Sequence, residues 1–397
     1  MTSVPLAGAR LRPPPPRLTA RWNRSDALSL GGALLGATAA TTLLFGNLAP
    51  FSGLLGRLIV GYLLFLAFYT VLVSLDEPGP VVRDRLASVI VHSLGFLLLG
   101  ALVLVVSYTL VRGHAALTHS NFFRKDMSSA GPLDPLSAGG IKHALLGTLI
   151  QISIALTLTV PLGLVCALLL TELPGRFSTF VRTIVEAMTA LPSIVAGLFI
   201  YATWILLLGQ DKSGFAAALA LSVMMLPIVI RASDVVLRLV PGSLKEASLA
   251  LGAGQWRTVW HVVLPTARSG LATAVILGAA RGIGETSPVL LTAGFTASSN
   301  TNPFKGPMVS LPLATFQFVK YPQATMLARG FGAAAALLGL VLLLFVAARV
   351  IGGHGPGVLT PRQTRRRARR STELAFGYAT AHAGSPRPDS DDAAGAT

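Results

Sequence analysis

Eight apolar runs dominate the sequence, at about residues 28–49, 54–75, 87–111, 144–171, 183–208, 215–238, 268–294 and 326–350. A helix needs roughly 20 predominantly apolar residues to cross the hydrocarbon core of a bilayer, and these runs are of that length or longer. The expected fold class is therefore all-α: a polytopic helical membrane protein with about eight transmembrane helices. Only 12% of the residues are charged, against about 25% in soluble domains.

The net charge of +16 raises the question of nucleic acid, but the position of the charge answers it. Five arginines (Arg10, Arg12, Arg17, Arg21, Arg24) precede the first run, and six (Arg362, Arg365, Arg366, Arg367, Arg369, Arg370) follow the last, with Arg387 further out. Basic flanks of this kind are expected on the cytoplasmic side, against anionic membrane lipid, and neither flank carries an aromatic-interleaved nucleic-acid motif. With both termini inside, twenty Lys and Arg fall in cytoplasmic segments and nine outside, the asymmetry that sets orientation. The first run starts too late for a cleaved signal peptide. The expected organisation is a disordered basic tail (1–27), two N-terminal spans (28–86), a six-span body (87–350) and a second disordered basic tail (351–397). Segments 112–143 and 295–325 are expected as outward loops. Cys166, the single cysteine, reads as a small buried hydrophobe, and His92, His143 and His261 show no metal-ligand spacing.

Between the sixth and seventh runs lies a polar stretch that keeps helical spacing, "SLKEASLALGAGQWRTVWHVVLPTA", residues 243–267. Ser243 and Glu246 have capping-box spacing, which predicts a helix start. Leu244, Ala247 and Leu251 then share a face, with Gly252 and Gly254 ending or bending the helix. Trp256, Trp260 and Val263 recur at helical spacing in a second short helix that Pro265 is expected to stop. Two short helices with an apolar face need a partner: the chain's own spans, the membrane surface or another subunit.

This stretch resembles the EAA loop of bacterial ABC-importer permeases: E-A-A, three residues, Gly, nine residues, I-x-L-P. Here it reads Glu246-Ala247-Ser248, Gly252 and Val262-Val263-Leu264-Pro265, with both spacings kept and Ser248 in place of the second alanine. The flanks, "LPIVIRASDVVLRLVPGSLKEASLALGA" and "GAARGIGETSPVLLTAGF", are similar to PstA-type phosphate-transporter permeases, over roughly residues 87–350. The resemblance implies a type I importer core of six helices in the bacterial plasma membrane. It implies a loop, 243–265, that docks on an ATPase subunit through Glu246, Ala247, Ser248, Gly252, Leu264 and Pro265. The implied partners are a second, PstC-like permease, an ATPase dimer that uses ATP and Mg, and an external phosphate-binding protein. The two N-terminal spans and the arginine-rich tail are additions it does not explain.

Charges at membrane depth cost about 2.5–3.5 kcal/mol on insertion scales and point to function or pairing. Arg281 and Glu285, four apart, interrupt the seventh run within "RGIGETSP", a pattern that predicts a discontinuous helix beside a polar cavity. Arg231 and Asp234, three apart, are expected to pair, as are Arg182 and Glu186. Arg281, helped by Arg231, is expected to line an anion path, its planar donor fork suiting phosphate, with Glu285 orienting it. Another oxyanion such as sulfate or molybdate, or a membrane-integral enzyme or sensor scaffold, are the alternatives. No Gly-Lys pair occurs in the sequence, so the phosphate-binding loop of an ATPase is missing, and no cofactor is expected on this chain.

Overall fold

A computed structural model describes residues 24–48, 53–352 and 371. The expected tails, 1–27 and 351–397, lie outside the described residues apart from 24–27, 351–352 and 371. Among the described residues the regular structure is helical throughout.

Among the described residues, seven helices are long and apolar enough to cross a membrane. They are built on α1 (Arg24–Leu43), α2 (Leu54–Asp76), α3 (Gly79–Leu117), α4 (Lys142–Glu172), α7 (Gly214–Arg238), α10 (Leu264–Ile283) and α13 (Ala324–Gly352). The fifth expected span, 183–208, is not straight. Helix α5 (Arg176–Thr189) and the stretch Ser193–Leu207, which opens with α6 (Ser193–Ile200), meet at 105°. The bend sits at Pro192, extended at φ −59°, ψ 142°. Proline lacks an N–H and its ring disfavours a helical residue before it, so the helix must stop there. Pro161 and Pro227, by contrast, lie inside the continuous α4 and α7.

The chain divides into two compact units, at Val105/Val106 within α3. In the first, α1 and α2 pair through small residues: a side chain on Gly32 would crowd Leu72 at 3.3 Å, and Gly36 lies against Phe68. Ala33, Tyr69 and Val73 are buried between them. Close backbone approach through glycine and alanine is how membrane helices associate when lipid is as apolar as leucine. Arg85 closes one end of this unit by pairing with Asp26 and Glu77.

In the second unit α7 lies between α4 and α10. A Cβ on Gly163 of α4 would fall 2.9 Å from Val229, and one on Gly278 of α10 would fall 2.5 Å from the same valine. The contacts Gly282–Met225, Gly278–Val229 and Gly270–Val236 set α10 antiparallel to α7.

The segment 295–325, expected as an outward loop, is only partly one. It contains α12 (Leu311–Val319), in which Leu311, Leu313, Ala314 and Phe318 are buried. The Gln151 side chain donates to the Met308 carbonyl at 2.8 Å, and the Leu311 N–H donates to Thr148 Oγ1 at 2.7 Å, tying the segment to α4. Nine helical residues are too few to span, so the run gives no signal of its own in the sequence.

Candidate functional site

The seventh run breaks as its sequence implies. Helix α10 ends at Ile283, Gly284 follows, and α11 (Ser287–Thr292) starts with Pro288 in its first turn. Glycine frees the backbone and proline fits the first turn of a helix, so the break is local in origin. Arg281 lies in the last turn of α10, with its NH1 2.6 Å from Glu285 Oε1. The two carry different environments: the Arg281 side chain is 58% exposed and that of Glu285 is 7% exposed. Glu285 borders a small cavity with Thr148, Gln151 and Ser310. An anchored carboxylate holding an exposed guanidinium leaves most of the five guanidinium donors turned to solvent, an arrangement able to bind a tetrahedral oxyanion through parallel N–H donors.

Arg231 does not join this site. It is exposed and makes no ion pair among the described residues. The α7–α10 register places it level with about residue 276, roughly 7 Å along the axis from Arg281 at 1.5 Å per residue. Nor does it pair with Asp234, as its spacing suggested. Asp234 accepts from Arg238 Nε at 3.0 Å, Arg182 NH1 at 3.1 Å and Thr171 Oγ1 at 3.0 Å. Arg182 is thereby taken from Glu186, which is exposed. Arg238 satisfies the same helical spacing as Arg231, from the other side, and the neighbouring helices decide between them.

The polar stretch after α7 forms two short helices, α8 (Gly242–Ala250) and α9 (Gln255–Thr258). The capping box is not made: Pro241 takes the N-cap position and no side chain caps the helix, because Ser243 is already inside the first turn. Gly252 sits at φ +81°, and a Cβ there would meet nothing within 4 Å. Backbone conformation, not crowding, therefore demands glycine there. Pro265 does not end the second helix. Residues 255–283 run as one helix, with a wide turn over Val259–Val263 that delivers the Leu264 N–H to the Val259 carbonyl. That turn absorbs the missing donor and the ring of Pro265. Val259 and Val263 are buried, whereas Trp256 and Trp260 are 72% and 64% exposed, so the tryptophans and Val263 do not share a face. Leu244, Leu249 and Leu251 are also exposed. The outcome is an apolar surface, tryptophans included, that nothing among the described residues covers.

The model of the family described as binding-protein-dependent transport system inner membrane component matches residues 159–356, which takes in this loop and the broken helix. The phosphate transport system permease protein PstA 1 of Mycobacterium tuberculosis (strain CDC 1551 / Oshkosh) is 41% identical over 251 residues, 63% of this chain and 82% of the relative. The PstA of Mycobacterium leprae (strain TN) is 38% identical over 261 residues, 66% of this chain and 85% of the relative. The chain belongs to the PstA family. It is a multi-pass membrane permease of the binding-protein-dependent transport systems. The MetNI methionine ABC transporter, in an inward-facing conformation, aligns with 54% of this chain and 93% of its own at 21% identity, with a TM-score of 0.42.

Sequence reasoning misses one residue of this PstA-family chain altogether. Arg329, within the last apolar run, is 1% exposed in α13. It donates to the carbonyls of Gly131, Asp134, Pro135 and Ala138 at 2.7–3.4 Å. An arginine near the end of an apolar run reads as snorkelling, and the carbonyls that receive it are nearly 200 residues away in sequence.

Proposed function

We propose that this chain is one permease subunit of an ATP-driven importer of inorganic phosphate. A second, PstC-like permease completes the path, an external phosphate-binding protein delivers the anion, and an ATPase dimer using ATP and Mg supplies the energy. The chain binds no cofactor of its own, and its sequence holds no Gly-Lys pair with which to build a phosphate-binding loop. Both termini face the cytoplasm, which puts residues 243–265 on the ATPase side.

The observation that carries the reading is the projecting loop. Glu246, Ala247, Ser248, Gly252, Leu264 and Pro265 keep the spacing of the coupling motif, and Leu244, Leu249, Leu251, Trp256 and Trp260 present apolar surface to water around them. Solvent-exposed leucine and tryptophan on short polar helices gain by insertion into a groove of a partner. ATP-driven closure of the ATPase pair pulls on this element, and the permease opens alternately to either side.

Phosphate selection falls to Arg281. Its exposed guanidinium receives the anion, and Glu285 holds it in place while weakening its net attraction. A path must bind its cargo firmly enough to accept it and loosely enough to release it. The test is uptake of radiolabelled phosphate by cells whose own importer is deleted and replaced by this system. Arg281→Gln abolishes uptake while the complex still assembles; transport at wild-type rates in that variant refutes the assignment. Competition by excess sulfate or molybdate leaves wild-type uptake unchanged if phosphate is the cargo.

A further inference from the structure

The projecting loop has two halves that are held differently. Thr258, Val259 and Val263 are buried, and Val263 packs with Ala167, Leu237, Ala267 and Leu271, so the α9 end is anchored in apolar surroundings. Helix α8 has no buried residue. Its ties are polar. Lys245 pairs with Glu172, the last residue of α4, with both side chains largely covered, at 23% and 14% exposure. Gln255 Nε2 donates to the Glu172 carbonyl at 3.1 Å, and Ser248 and Thr258 share a hydroxyl hydrogen bond of 2.9 Å that closes α8 on α9.

The residue before Glu172 continues the chain of contacts. Thr171 Oγ1 donates to Asp234 of α7, which also receives Arg182 of α5. Helix α5 is the first half of the pair bent by 105° at Pro192. Thr171 and Glu172 thus join α8 on one side to α7 and α5 on the other, at one end of α4.

We propose that Glu172 and Lys245 are positioning residues of transport: their ion pair passes movement of α8 to the end of α4 and, through Thr171 and Asp234, to α7 and the bent α5–α6 segment. The proposal rests on the reading of 243–265 as the ATPase-docking element. Helix α8 buries no side chain of its own, and the apolar contact of the loop with α4, Val263 on Ala167, lies in the anchor about which α8 rocks. The ion pair is the tie that α8 itself makes to α4, and a partly covered pair is screened less, and so held more strongly, than a solvated one. Spatial continuity alone does not establish coupling, so the test is a charge-swap cycle.

The complete complex, with its second permease, ATPase and binding protein, is reconstituted in liposomes, and ATP hydrolysis and phosphate uptake are measured together. In Glu172→Lys the ATPase stays bound and hydrolyses ATP, while phosphate moved per ATP falls about tenfold, within the usual range of coupling between sites. Adding Lys245→Glu to Glu172→Lys restores at least half of the lost coupling. Glu172→Gln, which keeps an acceptor for Lys245, loses only about two- to threefold by the same measure. An unchanged ratio in Glu172→Lys, loss of the ATPase from that variant, or failure of the swap to restore the ratio overturns the proposal. A separate variant, Leu251→Asp, tests the docking reading: it releases the ATPase if that reading holds. Retention of the ATPase there overturns the docking reading itself, a result distinguishable from any outcome at Glu172.

Discussion

At the end of the second unit that carries residues 118–142, a buried cation holds the chain; at the end that carries α8 and α9, a buried anion does. Arg329 bonds to four backbone carbonyls of one loop. Around it Asn121 Nδ2 donates to the carbonyls of Leu136 and Gly139, and Asp126 receives the N–H and hydroxyl of both Ser128 and Ser299. Asp234, in contrast, bonds to three side chains from three helices, one of them a guanidinium that is 53% exposed. Donors aimed at backbone carbonyls fix a loop's own path, because the path must change for the bonds to break. Side chains aimed at side chains can follow one another as helices shift. The first end is tied to its own backbone path, and the second is tied through side chains that can follow helix shifts, as the proposed coupling role requires.

Three measurements break or sharpen this contrast. The largest effect is expected from Arg329→Met, which leaves four carbonyls without their donor; the cost is about 3 kcal/mol. It is read as a lowered melting temperature of the purified complex together with protease cleavage between residues 128 and 140. Asp234→Asn keeps an acceptor for Thr171 and part of the acceptance from the arginines, and it costs about 1 kcal/mol. Cleavage of 128–140 is unaffected by it, and a penalty equal to that of Arg329→Met would erase the difference between the ends. The smallest effect concerns pH. Hydrogen bonds from the Ser128 hydroxyl, then from Ser299, hold the Asp126 carboxyl well below the usual carboxylate range. A depressed carboxyl contributes its stabilisation fully above its unfolded value of about 3.9 and loses it as the pH falls below that. Exchange of the Ser299 amide, corrected for the intrinsic rate, is therefore flat from about pH 5 to 8 and rises only in stronger acid. A step near neutral pH would show that another group controls the link between the two loops.

How far each feature is legible in the sequence follows the range of the physics behind it. The break after Ile283 is visible because Gly284 and Pro288 act on their own backbone. Gly252 is visible because a left-handed residue ends a helix within one turn. The bend at Pro192 has the same local cause, but its angle and direction are not encoded by periodicity. The Ser243–Glu246 spacing misses the true helix start by a short step along the chain, because Pro241 already holds the N-cap. The partners of Asp234 are out of reach for a different reason: Arg231 and Arg238 both satisfy helical spacing, and Arg182 lies 52 residues away in sequence. Buried α12 and the turn that accommodates Pro265 give no periodic signal.

The sequence by itself determined the placement of seven membrane-crossing segments, the site of the helix break and the polar handle with its glycine elbow. Bilayer thickness, proline and glycine act on residues next to one another. Only the tertiary structure decided which charges meet. Val229, clasped between Gly163 and Gly278, fixes the rotation and register of α7 against α4 and α10. That rotation, which no local spacing encodes, brings Asp234 to Arg182, and with Arg238 four residues on it leaves Arg231 out of the cluster.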